Sequence, residues 1–254
     1  WLKVWEPSAA TMATSMALDV AVVIPAMNEE KSLPRTLKSI FGQTPAPSEV
    51  VVVDPGSADR TTEVALDCGA QVLSSSRGRA VQMNTGARAT KAPVLLFLHA
   101  DTDLPEGAVA AIQVALCDPN VMGGCFELRF HEEDDSWTLQ LWSWCTRIQC
   151  CRTTRLVFGD RGIFVRRSAF EQLSGYSEWP LLEDVDFVMR LARLGPTAFH
   201  FLPMAVTTSA RRMLEMGPLR QQLLNSCIIV AWYLGATPEQ LRDWYRYRMA
   251  PVRT

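Results

Sequence analysis

The chain has 254 residues, a formal net charge of −2 and 48% hydrophobic residues. Such a content supports a substantial core and excludes a disordered chain, and the near-neutral charge excludes a nucleic-acid surface, which needs a concentrated basic excess. Seven cysteines, none in a CxxC pair and with Cys150 next to Cys151, fit reduced thiols in a cytoplasmic protein better than a zinc site or a disulfide framework.

Residues 1–19 contain no continuous apolar run of the signal-peptide kind. Residues 1–18 therefore read as an irregular tail and 19–254 as a single domain, its first half at about 19–117 and its second at about 118–254. Residues 20–24 are apolar and β-branched and predict a strand, followed by a turn at Pro25-Ala26-Met27-Asn28. Leu33, Leu37 and Ile40 then recur at i, i+4, i+7, which places a helix over 29–41. A second strand covers 50–53 and stops at Asp54-Pro55-Gly56-Ser57; a helix over 59–68 follows, with Asp59 as its cap. A short strand at 70–73, a helix over 78–89 and a third buried strand at 93–98 complete the first half. Continuous apolar strands separated by helices indicate an α/β fold with a mostly parallel central sheet sandwiched by helices. Loops at the carboxyl ends of such strands carry the binding site, so Asp54, Arg77, Arg79 and Asp101 are expected to converge.

The second half is less regular. A strand is predicted at 122–130, an aromatic-rich helix at 137–151, and strand material at 156–165 broken at Gly159-Asp160. Helices are predicted over 183–194, 212–233 and 238–247, giving a helical C-terminal region. Residues 221–238 carry no charge, but their strongly apolar part, 227–234, is well short of the roughly 20 residues of a membrane span. A buried helix is the favoured reading, and a peripheral helix resting on a membrane is the alternative.

Two acidic clusters carry the chemistry. The apolar run at 95–98 ends in His99-Ala100-Asp101-Thr102-Asp103, and Asp101 and Asp103 stand where they could share a divalent ion. Mg²⁺ and Mn²⁺ favour carboxylate and phosphate oxygens. About eighty residues on, Glu183-Asp184 opens a helix and offers a carboxylate that could remove a proton; Asp186, on another face, reads as structural. Acids in a first turn are also favoured by the helix dipole without any catalytic role. Arg77-Gly78-Arg79 precedes a helix and could meet a diphosphate through guanidinium forks and the helix N-terminus. Trp179, just before the second cluster, is the better acceptor platform, whereas Trp137, Trp142 and Trp144 suit a core or an interface.

These residues resemble glycosyltransferase family 2, whose fold is the GT-A type. Val22-Val23-Ile24-Pro25-Ala26-Met27-Asn28-Glu29 is similar to the family's opening strand and loop. Val53-Asp54-Pro55-Gly56-Ser57 and Gly78-Arg79-Ala80-Val81-Gln82-Met83-Asn84 resemble its next two nucleotide-binding loops. His99-Ala100-Asp101 falls on its DxD and Glu183-Asp184 on its ED motif; Phe158-Gly159-Asp160 and Thr208-Ser209-Ala210-Arg211-Arg212 look like one bacterial-type subgroup. The resemblance implies a metal-dependent, inverting transfer of a sugar from a nucleotide-diphosphate donor to a hydroxyl acceptor. Pro25, Asn28, Glu29, Asp54, Arg77, Gly78, Arg79, Asn84, His99 and Asp101 would hold the nucleotide, and Asp101, with Asp103, the Mg²⁺ or Mn²⁺. Asp184, beside Glu183, would be the base, Arg211 would meet the diphosphate, and Gly159, Asp160 and Trp179 would wall the acceptor side. His99 replaces the first acid of the DxD, and Pro55 stands where an acid is common. A nucleotidyltransferase or a non-catalytic nucleotide-binding scaffold are the competing readings; the first usually needs a glycine-rich, basic opening loop, which this chain lacks.

Overall fold

The computed structural model describes residues 18–131 and 156–249, with 137, 139 and 140 between them. The N-terminal tail, Trp142, Trp144, Cys150, Cys151 and most of the helix expected over 137–151 lie outside the described residues. Trp137 itself is 74% exposed, which removes the core half of the core-or-interface expectation.

Strands β1 (Val20–Pro25), β2 (Glu49–Asp54), β3 (Gln71–Ser74) and β4 (Val94–Phe97) form a parallel half-sheet. Their near-continuous Val, Leu and Ile content is what burial on both faces demands. Helices α1 (Leu33–Phe41), α2 (Thr61–Asp67) and α3 (Arg79–Ala89) connect them. On α1, Leu33, Leu37 and Ile40 are all fully buried, as their spacing requires. On α2, Arg60 is the cap residue, and Asp59 stands one position earlier with Oδ1 accepting from the Thr61 N–H at 3.0 Å. Helix α3 lies very close to the sheet: a Cβ on Gly86 would stand 2.3 Å from Val23 Cγ1 and 3.1 Å from Val53 Cγ2.

The short β5 (Thr102–Asp103) and α4 (Ala108–Ala115) lead to β6 (Gly123–Phe130). A 3-10 turn at Gly159–Arg161 precedes β7 (Ile163–Arg166) and α5 (Arg167–Gln172). Helix α6 (Glu183–Ala192) is followed by β8 (Phe199–Thr208), a ten-residue strand that the sequence reading missed because Pro203 interrupts its alternation. The eight strands form one sheet in the order β3-β2-β1-β4-β7-β6-β8-β5. Its second half is mixed: β7 runs antiparallel to β4 and β6, β8 is parallel to β6, and β5 is antiparallel to β8.

The helix expected over 212–233 is two helices, α7 (Arg211–Met216) and α8 (Pro218–Tyr233). Gly217 divides them at φ 85°, a left-handed value that favours glycine, and Pro218 restarts the chain at the first helical position. Helix α9 (Pro238–Met249) packs beside α8. The expectation of a buried helix holds for one face of α8 only. Leu224 and Ile228 pack with Leu182, Val185 and Leu241, while Leu223, Val230 and Tyr233 are exposed.

Candidate active site

Strand order reverses between β1 and β4: from β1 the sheet continues to β2 on one side, and from β4 to β7 on the other. The loops after β1 and β4 therefore flank a crevice at the carboxyl edge of the sheet, the usual ligand position in such folds. A cavity of about 670 Å³ opens there. Pro25, Glu29, Arg79, His99, Asp101, Gly159, Asp160, Asp184 and Arg211 line it, gathered from segments far apart in sequence.

Asp184 is at the centre of the polar end. Leu182 precedes its helix in a left-handed conformation, φ 65°, which for a bulky residue costs about 1–3 kcal/mol. That turn points Glu183 and Asp184 inward, and both are buried, at 2% and 5% exposure. The Gly159 N–H donates to Asp184 Oδ2 at 2.7 Å, and Arg79 Nη2 stands 3.8 Å from the same oxygen. Arg79 also donates to Glu183 Oε1 through Nε and places Nη1 3.4 Å from His99 Nε2. Burial pushes the Asp184 carboxyl up to about 6, helped by the Glu183 charge and opposed by Arg79 and by the Gly159 and Val185 N–H groups. Glu183 does not line the cavity; it sits behind Arg79 and holds it. Burial works against the Arg79 charge, but Glu183 and Asp184 more than offset it, so the guanidinium stays ionised.

On the other wall, among the described residues Asp101 makes only long contacts, 3.4 Å from Thr102 Oγ1 and 3.5 Å from Thr208 Oγ1. Asp160 Oδ1 is buried and has no hydrogen-bond partner among the described residues. Burial raises the Asp160 carboxyl, and the Asp101 charge adds to this. Among the described residues, no three His, Cys, Asp or Glu side chains form a closed metal cage. A lone accessible carboxylate with a second, under-satisfied one nearby instead fits an ion such as Mg²⁺ or Mn²⁺. Such ions are commonly held by one or two carboxylates and completed by phosphate oxygens of the ligand.

Several expected site residues are engaged elsewhere. Asp103 does not line the cavity: it pairs with Arg35 at 2.9 Å and stands 3.4 Å from His131 Nε2. Asp54 is turned into its own loop, accepting from the Gly56 and Ser57 N–H groups at 2.8 and 2.7 Å and from Thr62 Oγ1 at 2.8 Å. Asn28, at φ 57°, clamps the first two loops together through Ser57 and Ala58. Asn84 is buried and exchanges two hydrogen bonds of 2.9 Å with the Tyr176 backbone. Arg77 and Gly78 are exposed, and neither they nor Trp179 line the cavity. Asp186 is structural, as expected, bonded to Ser177 and Arg190 at 2.8 Å each. The convergence of strand-end residues thus holds for Arg79 and Asp101 and not for Asp54 or Arg77.

Sequence reasoning missed Gln82, which lines the cavity and donates to the Ala26 and Val53 carbonyls at 3.1 and 2.8 Å. Its signal was its place one turn after Arg79. Also missed was an apolar wall that includes Leu128, Phe158, Leu181 and Ile229. It is assembled from β6, a loop and α8, so no local pattern marks it.

The fold and the cavity define an α/β protein with its site at the carboxyl edge of the sheet. Residues 21–174 match the model of Glycosyl transferase family 2, and the chain belongs to that family. It is 38% identical over 102 residues to a 4,4'-diaponeurosporenoate glycosyltransferase of Staphylococcus haemolyticus, covering 37% of this chain and 27% of the relative. It is 29% identical over 168 residues to an undecaprenyl-phosphate 4-deoxy-4-formamido-L-arabinose transferase of Sodalis glossinidius, covering 61% and 50%. The chain thus spans half or less of the length of these two curated relatives. Among solved structures, glucosyl-3-phosphoglycerate synthase of Mycobacterium tuberculosis, in complex with Mn²⁺, UDP-glucose and phosphoglyceric acid, superposes with a TM-score of 0.63. That match covers 90% of this chain and 85% of the other at 19% identity, and it establishes the GT-A fold.

Proposed function

We propose that this glycosyltransferase moves a sugar from a nucleoside-diphosphate donor to an acceptor hydroxyl with inversion, and that Asp184 is its general base. The observation that carries the reading is the Asp184 carboxylate, raised to about 6, opening on the same cavity as Asp101. A base works best when its pKa lies near the working pH, so a carboxylate raised above its ordinary value removes a hydroxyl proton better than an exposed one.

Asp184 Oδ2 is anchored by Gly159 and Oδ1 accepts from the Val185 N–H at 2.8 Å. In the proposed step this carboxylate takes the proton as the acceptor oxygen attacks the anomeric carbon. The bond from that carbon to the diphosphate breaks, and the electron pair leaves with the nucleoside diphosphate. Arg211, half exposed and 3.5 Å from Glu29, is free enough to turn toward the departing charge. Asp101, with Asp160, would hold a divalent ion, which when bound neutralises diphosphate charge. Arg79 is already held by Glu183; its part is to keep the two acids in place and to favour the ionised form of Asp184.

The solved neighbours hold UDP with Mn²⁺ or Mg²⁺, so UDP is the first nucleotide to test. Thermal unfolding with UDP, GDP, CDP and ADP, each with and without Mn²⁺, should show a metal-dependent rise for one nucleotide. At a concentration 100 times its dissociation constant a ligand adds roughly 2.7 kcal/mol, a shift of several degrees at this size. The shift should vanish in Asp101→Ala. No shift with any nucleotide would sink the reading.

A further inference from the structure

We propose that Gln221 and Asn225 of α8 select the acceptor, and that the acceptor presents a neutral, hydroxyl-bearing group of the polyol or sugar type rather than an anion. Calling that group the acceptor rests on the transferase reading; its binding at the amide pair does not.

Gln221, Leu224, Asn225 and Ile228 stand at i, i+3, i+4 and i+7 and so share one face of α8. Leu224 and Ile228 belong to the apolar cluster that holds Leu182 and Val185, the residues on either side of Glu183-Asp184. One turn before Leu224 on the same face, Gln221 lines the cavity and is 6% exposed. Its Nε2 donates to Asn225 Oδ1 at 2.8 Å, which fixes the carboxamide. Its Oε1 is buried and accepts no hydrogen bond among the described residues. A buried carbonyl oxygen without a donor costs free energy and is uncommon in folded chains. This one belongs to a residue of the cavity lining, so the missing donor is one that a ligand brings.

The chemistry of that donor is narrow. An ionised carboxylate or a fully ionised phosphate offers only acceptor oxygens, which a carbonyl oxygen cannot bond. An ammonium donates, but when buried it needs an opposite charge, and residues 221–233 contain no acid. A hydroxyl does both. It donates to Gln221 Oε1 and accepts from Asn225, whose Nδ2 is left to donate while Oδ1 is engaged. An acceptor and a donor one turn apart suit two neighbouring hydroxyls of a polyol or sugar. Leu128, Phe158 and Leu181 would meet its C–H faces, in keeping with specific pockets that are mostly apolar and carry a few oriented polar groups. Because this face of α8 packs on the turn that carries Asp184, the group it reads is the acceptor rather than the donor sugar. A further hydroxyl of the same group then meets Asp184, which lines the same cavity.

The test is a ligand-observed NMR titration with methyl α-D-glucopyranoside, myo-inositol and phosphoglyceric acid, in the presence of UDP and Mn²⁺. Wild type, Gln221→Leu and Asn225→Ala are compared, with the melting temperature and the UDP–Mn²⁺ melting shift measured on each. At least one neutral ligand should bind the wild type more tightly than phosphoglyceric acid does. Each variant should bind it about five- to tenfold more weakly, the scale of one lost neutral hydrogen bond, with the UDP–Mn²⁺ shift unchanged. Asn225 is half-buried, so Asn225→Ala carries the comparison by itself if Gln221→Leu does not fold. Phosphoglyceric acid bound as tightly as the neutral ligands, no neutral ligand bound, or variants that bind like the wild type would each overturn the proposal. Variants that bind the neutral ligand normally but lose the extra melting shift of UDP-glucose over UDP would give the amides to the donor sugar and overturn the acceptor assignment. A wild type that binds a neutral ligand but shows no UDP–Mn²⁺ shift would remove the transferase reading and leave the amide site standing.

Discussion

The Gly159 N–H donates to Asp184 Oδ2 at 2.7 Å, joining a 3-10 turn to the first turn of α6 across 25 residues. A Cβ at position 159 would stand 3.3 Å from that oxygen and 3.1 Å from His99 Nε2. Both contacts are tight, so Gly159→Ala should displace the carboxylate rather than unfold the protein. Turnover should fall by about 10- to 100-fold, the scale of a small misplacement at a reacting group. The UDP melting shift should persist, which separates this effect from lost donor binding.

The rate should depend on pH through the Asp184 carboxyl. The Asp184 carboxyl is raised to about 6 by burial and by Glu183, and a base must be deprotonated to act. The value of kcat/KM should therefore rise with pH through about 6 and then level off. Stability runs the other way: the folded value lies above the ordinary 3.8, so this group costs stability as pH rises from about 4 to 6 and no more beyond. Asp184→Asn should lower kcat/KM by about 10²–10⁴-fold and remove this group's part of the decline in stability across that window. A pH–rate profile with no limb near 6 would assign the base elsewhere.

Replacing Arg79 should produce two effects at once. Glu183 Oε2 already lacks a partner among the described residues, and Arg79→Leu would leave Oε1 without one as well. Breaking a buried pair costs 3–5 kcal/mol, and with Arg79 36% exposed the loss should be nearer 2–3 kcal/mol. Because Arg79 lowers the Asp184 value, its removal should also move the pH limb upward. Arg79→Lys should restore part of the limb position and little of the stability, since an ammonium cannot reproduce the guanidinium fork.

Asn84 separates packing from ligand binding. Its amide bonds the Tyr176 N–H and carbonyl inside the protein, and Asn84→Ala strands both. The expected loss is about 2–4 kcal/mol, a drop of roughly 4–16 °C in melting temperature for a chain of this size. The UDP shift, measured from the new baseline, should be unchanged. A lost shift with intact stability would return Asn84 to the nucleotide site.

Local pattern made the first half of the fold legible. Buried parallel strands such as Val20–Pro25 and Glu49–Asp54 are continuous apolar runs, and α1 shows its buried face at i, i+4, i+7. Strand β8 was not legible, because Pro203 and polar residues break its alternation and its register is set by pairing with β6. At the site, motif order found Arg79, Asp101, Gly159 and Asp184 but could not tell ligand-facing oxygens from turn-forming ones. Asp54 and Asp103 look like Asp101 in sequence; only loop geometry turned one onto its own backbone and the other onto Arg35. The raised carboxyl of Asp184 was equally invisible, since it follows from burial beside Glu183.

Gly86 sets the mechanical character of the site. With no side chain there, α3 rests directly on Val23 and Val53, and the sheet leaves the helix no slack. Arg79, at the first position of that helix, therefore grows from a stiff mount rather than from a yielding loop. A ligand must therefore come to Arg79 rather than Arg79 reach for the ligand.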